Sequence, residues 1–277
     1  VGQIIAANSF DVGDRAANYG DGLFTTMQVE DGRVALFNRH VSRMMNDGER
    51  LMLTLEQQQL ETAIRAHAHE CGSGVLKLLI SSGVGGRGYA RPETAKPHMI
   101  FSHHPLPGHY TRWRSEGIRT RVSSVRLAIQ PLLGGIKHLN RLEQIFIKKE
   151  LNSFKADDAI VCDADGFVIE GSAANIFWHR NGQWHTPEIS TCGVKGVMRC
   201  FLLDWFEGNR MRVNVGRFVL DELFQADTVF FCNALMEIIP VTAIASDSAT
   251  FDFPAQPVRV LQQAVAQNYK DEYDSGA

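Results

Sequence analysis

The sequence predicts an α+β chain of two domains, and three observations carry that expectation. At 277 residues it exceeds the usual size of a single hydrophobic core. Strand-like and helix-like periodicities interleave through the first hundred residues, whereas short strands separated by turn signals dominate the second half. Between them lies His103-His104-Pro105-Leu106-Pro107-Gly108-His109, the best linker in the chain. The expected division is a first domain over 1–104, a linker over 105–109 and a second domain over 110–277.

In the first domain, residues 23–29 alternate like a strand, Asp31-Gly32 is a two-residue hairpin signal, and residues 33–37 return. Asn38 is placed as the N-cap of a helix carrying Val41, Met44, Met45 and Leu51 on one side, with Arg43 on its surface. A second helix is expected over 56–69 and a buried strand over the apolar run 75–82. Gly83-Val84-Gly85-Gly86-Arg87-Gly88 satisfies G-x-G-x-x-G. It is followed, however, by Tyr89-Ala90-Arg91-Pro92, which favours extended or turn backbone where a dinucleotide site requires a helix. A flexible hairpin loop, or a loop whose glycines let Arg87 approach an anion, replaces that reading. A strand over 98–102 leads to the linker.

In the second domain, strands are expected over 117–122, 159–162, 167–170, 174–178, 183–186, 211–215 and 228–231. Asn181-Gly182 makes a hairpin turn, and helices span 197–207 and 258–267. The central stretch is Gly134-Gly135-Ile136-Lys137-His138-Leu139-Asn140-Arg141-Leu142-Glu143-Gln144. Leu139, Leu142, Ile145, Phe146 and Leu151 keep roughly helical spacing, which places Lys137 at the mouth of a helix. Such a lysine is either an exposed surface cation or a partly desolvated amine able to form a Schiff base.

Composition excludes several classes. With 44% hydrophobic and 21% charged residues the chain reads as a soluble globular protein. A net charge of -3 supports neither a nucleic-acid nor a membrane partner, and no apolar run approaches the ~20 residues that span a bilayer. Val1-Gly2-Gln3-Ile4-Ile5 lacks the regions of a secretion signal. The scattered Cys71, Cys162, Cys192, Cys200 and Cys232 form no Cys-x-x-Cys pair and read as reduced thiols of a cytoplasmic protein. No metal is expected, because His67, His69, His103 and His104 match no ligand framework.

Three features of the second half need one another. Lys137 supplies a carbonyl-reactive amine. Glu170 is a lone acid ending an apolar strand, before Gly171-Ser172-Ala173-Ala174-Asn175. The turns Gly196-Val197 and Asn233-Ala234 can present backbone N–H groups, the first of them at a helix start. An amine for an aldehyde, an acid for a pyridinium and an anion cradle are the parts of a pyridoxal-phosphate site. Each part alone also has a structural reading as a surface lysine, a capping acid or a tight turn.

Longer strings narrow the choice. Residues 19–26 (Tyr-Gly-Asp-Gly-Leu-Phe-Thr-Thr), Gly85-Gly86-Arg87-Gly88-Tyr89, Gly135 through Gln144 and Cys232-Asn233-Ala234-Leu235-Met236 resemble the aminodeoxychorismate lyases. That family belongs to fold-type IV of the pyridoxal-phosphate enzymes, with the branched-chain and D-amino-acid aminotransferases. The resemblance runs over nearly the whole chain. It implies a two-domain, D-amino-acid aminotransferase-like fold, with a smaller N-terminal α/β domain and a larger β-rich C-terminal domain carrying helices. It implies pyridoxal 5'-phosphate joined to Lys137, paired at its ring nitrogen with Glu170, and held at its phosphate by Arg43 and the backbone of Val197, Asn233 and Ala234. Arg87 becomes the candidate for a substrate carboxylate, Thr26 a candidate proton donor and aminodeoxychorismate the implied substrate. A homodimer is implied by the same analogy. Leu142 stands where branched-chain aminotransferases carry a tyrosine, and Ala234 where they carry a hydroxyl. The first departure and the lyase-specific strings disfavour the alternative, an aminotransferase on the same scaffold, and the second leaves the phosphate contact at Ala234 to the backbone.

Overall fold

The computed structural model describes residues 3–4, 11–86 and 88–274, so Arg87 lies outside the described residues. The chain divides into two compact units. Among the described residues, the first takes those up to Leu106, Ile136–Asn140 and those from Tyr269, and the second takes Pro107–Gly135 and Arg141–Asn268.

The first unit contains β1 (Gln3–Ile4), α1 (Arg15–Tyr19), β2 (Gly22–Glu30), β3 (Arg33–Val34), α2 (Phe37–Arg50), α3 (Gln57–Cys71), β4 (Gly74–Ser81) and β5 (His98–His104). The strands form a sheet in the order β1-β5-β4-β2-β3, antiparallel except for β1 against β5. Asp31 and Gly32 both take positive φ, 51° and 75°, which suits the two-residue turn joining β2 to β3. Strand period sorts β2 into two faces. Leu23, Thr25, Met27 and Val29 are buried on one side with Met44 and Leu60, while Phe24, Thr26 and Gln28 are half-buried on the other.

Helix α2 starts two residues earlier than a cap at Asn38 would allow. Its N-cap is Leu36 at φ 56°, with no side-chain cap. Leu36 is fully buried, and burial of that side chain decides the entry where local capping preference would choose Asn38. From there Phe37, His40, Val41, Met44 and Asp47 form its buried face.

The second unit contains α4 (His109–Glu116), β6 (Ile118–Val122), α5 (Leu142–Leu151), β7 (Asp158–Cys162), β8 (Val168–Gly171), β9 (Asn175–Arg180), β10 (Gln183–Pro187), α6 (Val197–Gly208), β11 (Val213–Gly216), α7 (Leu220–Phe224), β12 (Thr228–Asn233), β13 (Glu237–Ala245) and β14 (Thr250–Asp252). Helix α8 (Gln256–Asp271) runs from it into residues grouped with the first unit. The sheet order is β11-β10-β9-β12-β13-β6-β7-β8, with β14 on β13. Its main core is aromatic-rich, with Trp178, Phe231 and Phe218 packed among Ile160, Ile176 and Ile239.

Two expectations about the Lys137 stretch are corrected. Helix α5 begins at Leu142, so Lys137 is at no helix mouth. Residues 137–139 are instead extended along the part of the β2 edge that the short β3 leaves unpaired. Phe24 N–H donates to Lys137 O at 3.0 Å and Leu139 N–H to Gly22 O at 3.0 Å. Leu23 bridges His138 between them. This pairing also groups Ile136–Asn140 with the first unit, although the sequence placed Lys137 in the second domain. The apolar residues that suggested the longer helix are on its surface: Leu142 is 68%, Ile145 60% and Phe146 57% exposed.

Candidate active site

The expected site residues fall in both units, and each half is built by its own scaffold. In the first unit, Lys137 is pinned through its backbone. Besides the β2 pairing, its N–H donates to Asp47 Oδ2 at 3.1 Å, from the buried face of α2. Its Nζ lies 4.4 Å from the centroid of the Phe24 ring, an ammonium over an aromatic face. A second amine shares that ring, with Lys77 Nζ 5.4 Å from the same centroid. Lys77 is directly opposite Thr26 in the β2–β4 register, so Lys77, Thr26 and Phe24 belong to one face of the sheet.

Arg43 stands on α2 and donates from Nη2 to Thr25 Oγ1 at 2.6 Å. Thr25 Oγ1 is also 2.6 Å from His40 Nδ1. Thr25 and His40 are fully buried. Burial, with the nearby charges of Arg43 and Lys137, pushes the His40 imidazole well below its ordinary pKa.

Near the glycine-rich loop, Asp21 is a hub. Its Oδ2 accepts from Arg15 Nε at 2.8 Å, Ser82 Oγ at 2.7 Å and Arg91 Nε at 2.9 Å, and Arg91 Nη2 binds Oδ1. Arg15 then donates to the carbonyls of Gly88, Tyr89 and Ala90. Burial alone would raise the Asp21 carboxyl, but hydrogen bonds from Arg91, Arg15 and Ser82 outweigh it and hold the group well below the usual carboxylate range.

In the second unit, Glu170 ends β8 almost wholly buried, and its Oε2 accepts Val194 N–H at 2.9 Å. Asn175, at the start of β9, grips the same loop: Oδ1 accepts Gly196 N–H at 3.1 Å and Nδ2 donates to Val194 O at 2.8 Å. Gly196 is the N-cap of α6, and a Cβ there would meet Asn175 Oδ1 at 2.2 Å. The first turn of α6, from Val197, therefore starts on a small, fixed cradle suited to an anion. Asn233 holds its own turn, with Oδ1 accepting Leu235 N–H at 2.9 Å and Met236 N–H at 2.8 Å. Ala234 is half-buried within that turn. Beside Glu170, Cys192 is buried and its thiol is pushed up to about 12, chiefly by desolvation. Such a thiol is inert at neutral pH.

The structure thus brings Lys137 into one arrangement with Phe24, Lys77 and Asp47, and Glu170 into another with Val194, Asn175 and Gly196. Sequence reasoning missed Lys77, Thr25 and His40. Period-2 counting on residues 75–81 would have placed Lys77 on the less buried face of β4, but its register with Thr26 could not be read. Among the described residues, His67, Glu70 and His103 form a cluster whose ligand atoms lie within 4.8 Å of one another. His67 stacks on Phe101 at 4.0 Å between ring centroids, and its Nδ1 lies 3.1 Å from Glu70 Oε2.

The fold and these two arrangements define a class: the chain belongs to the amino-transferase class IV family, whose model matches residues 22–244. The particular resemblance is to lyases. The chain is 36% identical to the aminodeoxychorismate lyase of Vibrio harveyi over 249 residues, 88% of this chain and 90% of that protein. It is similar to the crystal structure of 4-amino-4-deoxychorismate lyase from Pseudomonas aeruginosa, with a TM-score of 0.89 and 36% identity over 94% of this chain and 96% of that one. A hypothetical aminotransferase from Mycobacterium tuberculosis, in its PLP-bound form, shares the fold at a TM-score of 0.81 and 18% identity, covering 94% of each chain.

Proposed function

We propose that this protein is a 4-amino-4-deoxychorismate lyase, dependent on pyridoxal 5'-phosphate, that releases pyruvate and 4-aminobenzoate for folate synthesis. The observation that carries the reading is Lys137: a lysine whose carbonyl accepts from Phe24 N–H and whose N–H donates to Asp47, its amine over the Phe24 ring that Lys77 also approaches. A lysine held in this way can present its amine to an aldehyde and, once released, act as a general base.

The residues fit the cofactor. Glu170 is a buried carboxylate able to hold a proton on the pyridine nitrogen, and Arg43 with the backbone of Val197, Asn233 and Ala234 would hold the phosphate. When bound, pyridoxal phosphate supplies an electron sink for the substrate carbon that carries the nitrogen. Lys137 Nζ removes the proton from that carbon. Loss of that proton would let the neighbouring enolpyruvyl oxygen leave the adjacent carbon, and Thr26, on the same strand face as Phe24, is assigned to give that oxygen its proton. The ring becomes aromatic, which drives the elimination, so the protein's main tasks are orientation and proton handling. Lys77 and Arg87 are the cations assigned to the substrate carboxylates.

Self-association is part of the reading. Leu142, Ile145 and Phe146 form an exposed apolar stripe on α5, with Leu132 79% exposed in the same unit. Such a surface suits the interface of a homodimer. No helix among the described residues is long and apolar enough to cross a membrane, and we assign the enzyme to the cytoplasm.

The test is product formation from aminodeoxychorismate, following pyruvate and 4-aminobenzoate together, with Lys137→Ala in parallel. Equal yields, lost in the variant, are expected. A folded, cofactor-loaded protein that transfers the amino group to 2-oxoglutarate and makes neither product would replace the lyase with an aminotransferase.

A further inference from the structure

Behind Arg43, which is half-buried, the first unit holds two fully buried polar residues that the proposed chemistry leaves unused, Thr25 and His40. Donor counting fixes the direction of the first hydrogen bond. A guanidinium has donors only, so at 2.6 Å Thr25 Oγ1 accepts from Arg43 Nη2. The hydroxyl's single hydrogen must then point elsewhere, and His40 Nδ1 lies 2.6 Å from the same oxygen. Where Nδ1 accepts it, His40 is the neutral tautomer with its hydrogen on Nε2; the other arrangement, Nδ1–H donating to the second lone pair of Oγ1, is what the nitrogen spectrum below tests. Among the described residues Nε2 is buried without a hydrogen-bond partner. An orphaned donor in a fully buried ring is a standing cost, and a phenyl ring would fill the volume without it. What imidazole adds over phenyl is the acceptor at Nδ1.

We propose that His40 and Thr25 are positioning residues for Arg43. The Nδ1 acceptor orients the threonine hydroxyl, whose lone pair holds one guanidinium nitrogen. Because the guanidinium is planar, fixing one nitrogen on a buried oxygen restricts the plane in which its other donors lie. Those donors are then aimed in advance at the phosphate of the cofactor. This rests on the assignment of Arg43 to that phosphate, and the test separates the two claims.

Apoprotein is titrated with pyridoxal phosphate and the dissociation constant read from the quench of intrinsic fluorescence. Thr25→Val and His40→Phe are each expected to weaken binding about tenfold, the factor for roughly 1.4 kcal/mol of lost preorganisation. Thr25→Ser and His40→Asn, which restore a hydroxyl and an acceptor, are expected to stay within about threefold of wild type. Wild-type affinity in Thr25→Val and His40→Phe, with Arg43→Ala weakened, overturns the positioning role alone. Wild-type affinity in Arg43→Ala as well overturns the phosphate assignment and the positioning role with it. A measurement that needs no variant is the imidazole nitrogen NMR spectrum of the apoprotein. An unprotonated Nδ1 on His40 is expected, and a protonated Nδ1 overturns the proposal.

Discussion

Lys137 is held by its main chain, so removing its side chain leaves the β2 edge and the Asp47 contact in place. Lys137→Ala is therefore expected to keep the wild-type melting temperature within a few degrees while abolishing 4-aminobenzoate and pyruvate formation, read by calorimetry and product assay. Glu170→Gln removes the acid and keeps the shape. The catalytic rate constant is expected to fall on the order of a hundredfold or more, with a small change in KM, in steady-state kinetics. Asp21 gives a pH signature. Its folded carboxyl lies well below the unfolded value of about 4, so its contribution is complete above that value and disappears as pH falls further. The melting-temperature deficit of Asp21→Asn should accordingly be largest near neutrality and shrink on acidification below about pH 4. Lys137 and Glu170 could be singled out from sequence because each sits in a short string with its own chemistry. Lys77, Thr25 and His40 could not, since their roles depend on strand register and on which helix covers which face.

At the scale of elements, the hairpins were legible and the entry to α2 was not. Asp31-Gly32 and Asn181-Gly182 impose positive φ through local chemistry, and the structure has 53° and 77° at the second pair. Leu36 caps α2 because the core takes its side chain, which no window of sequence records. The longer helix expected at Lys137 failed for a related reason. Residues 137–139 satisfy their backbone on β2, and an available sheet edge outcompetes helical periodicity. The start of α6 offers a contrast between glycines. Gly182 has open space around it, so Gly182→Ala should cost about 1 kcal/mol, read from the urea midpoint, with cofactor affinity unchanged. Gly196 has a φ of -67°, which alanine tolerates, but its Cβ would displace Asn175. Gly196→Ala is expected to weaken pyridoxal phosphate binding at least tenfold, measured by titration of the apoprotein.

At the scale of the whole molecule, light scattering is expected to give twice the 30.9 kDa of one chain, and Phe146→Glu on the exposed α5 stripe should return it toward one. The two-unit architecture was legible in outline from the proline-rich connection. That the chain re-enters the first unit was not legible, because nothing local marks Ile136–Asn140 or the residues after α8 as belonging to it. Arg65 and Arg39 of the first unit pair with Asp274 and Glu272, and Asp274 N–H reaches Val34 O. These contacts join positions more than two hundred residues apart in sequence. The consequence concerns synthesis. As the polypeptide leaves the ribosome, the first hundred residues emerge with half the β2 edge uncovered, and that edge stays open until Asn140 follows. Its last tethers arrive only with Glu272 and Asp274. A message truncated after the linker would therefore yield a sheet with a bare, association-prone border and no lysine, rather than a smaller functional domain.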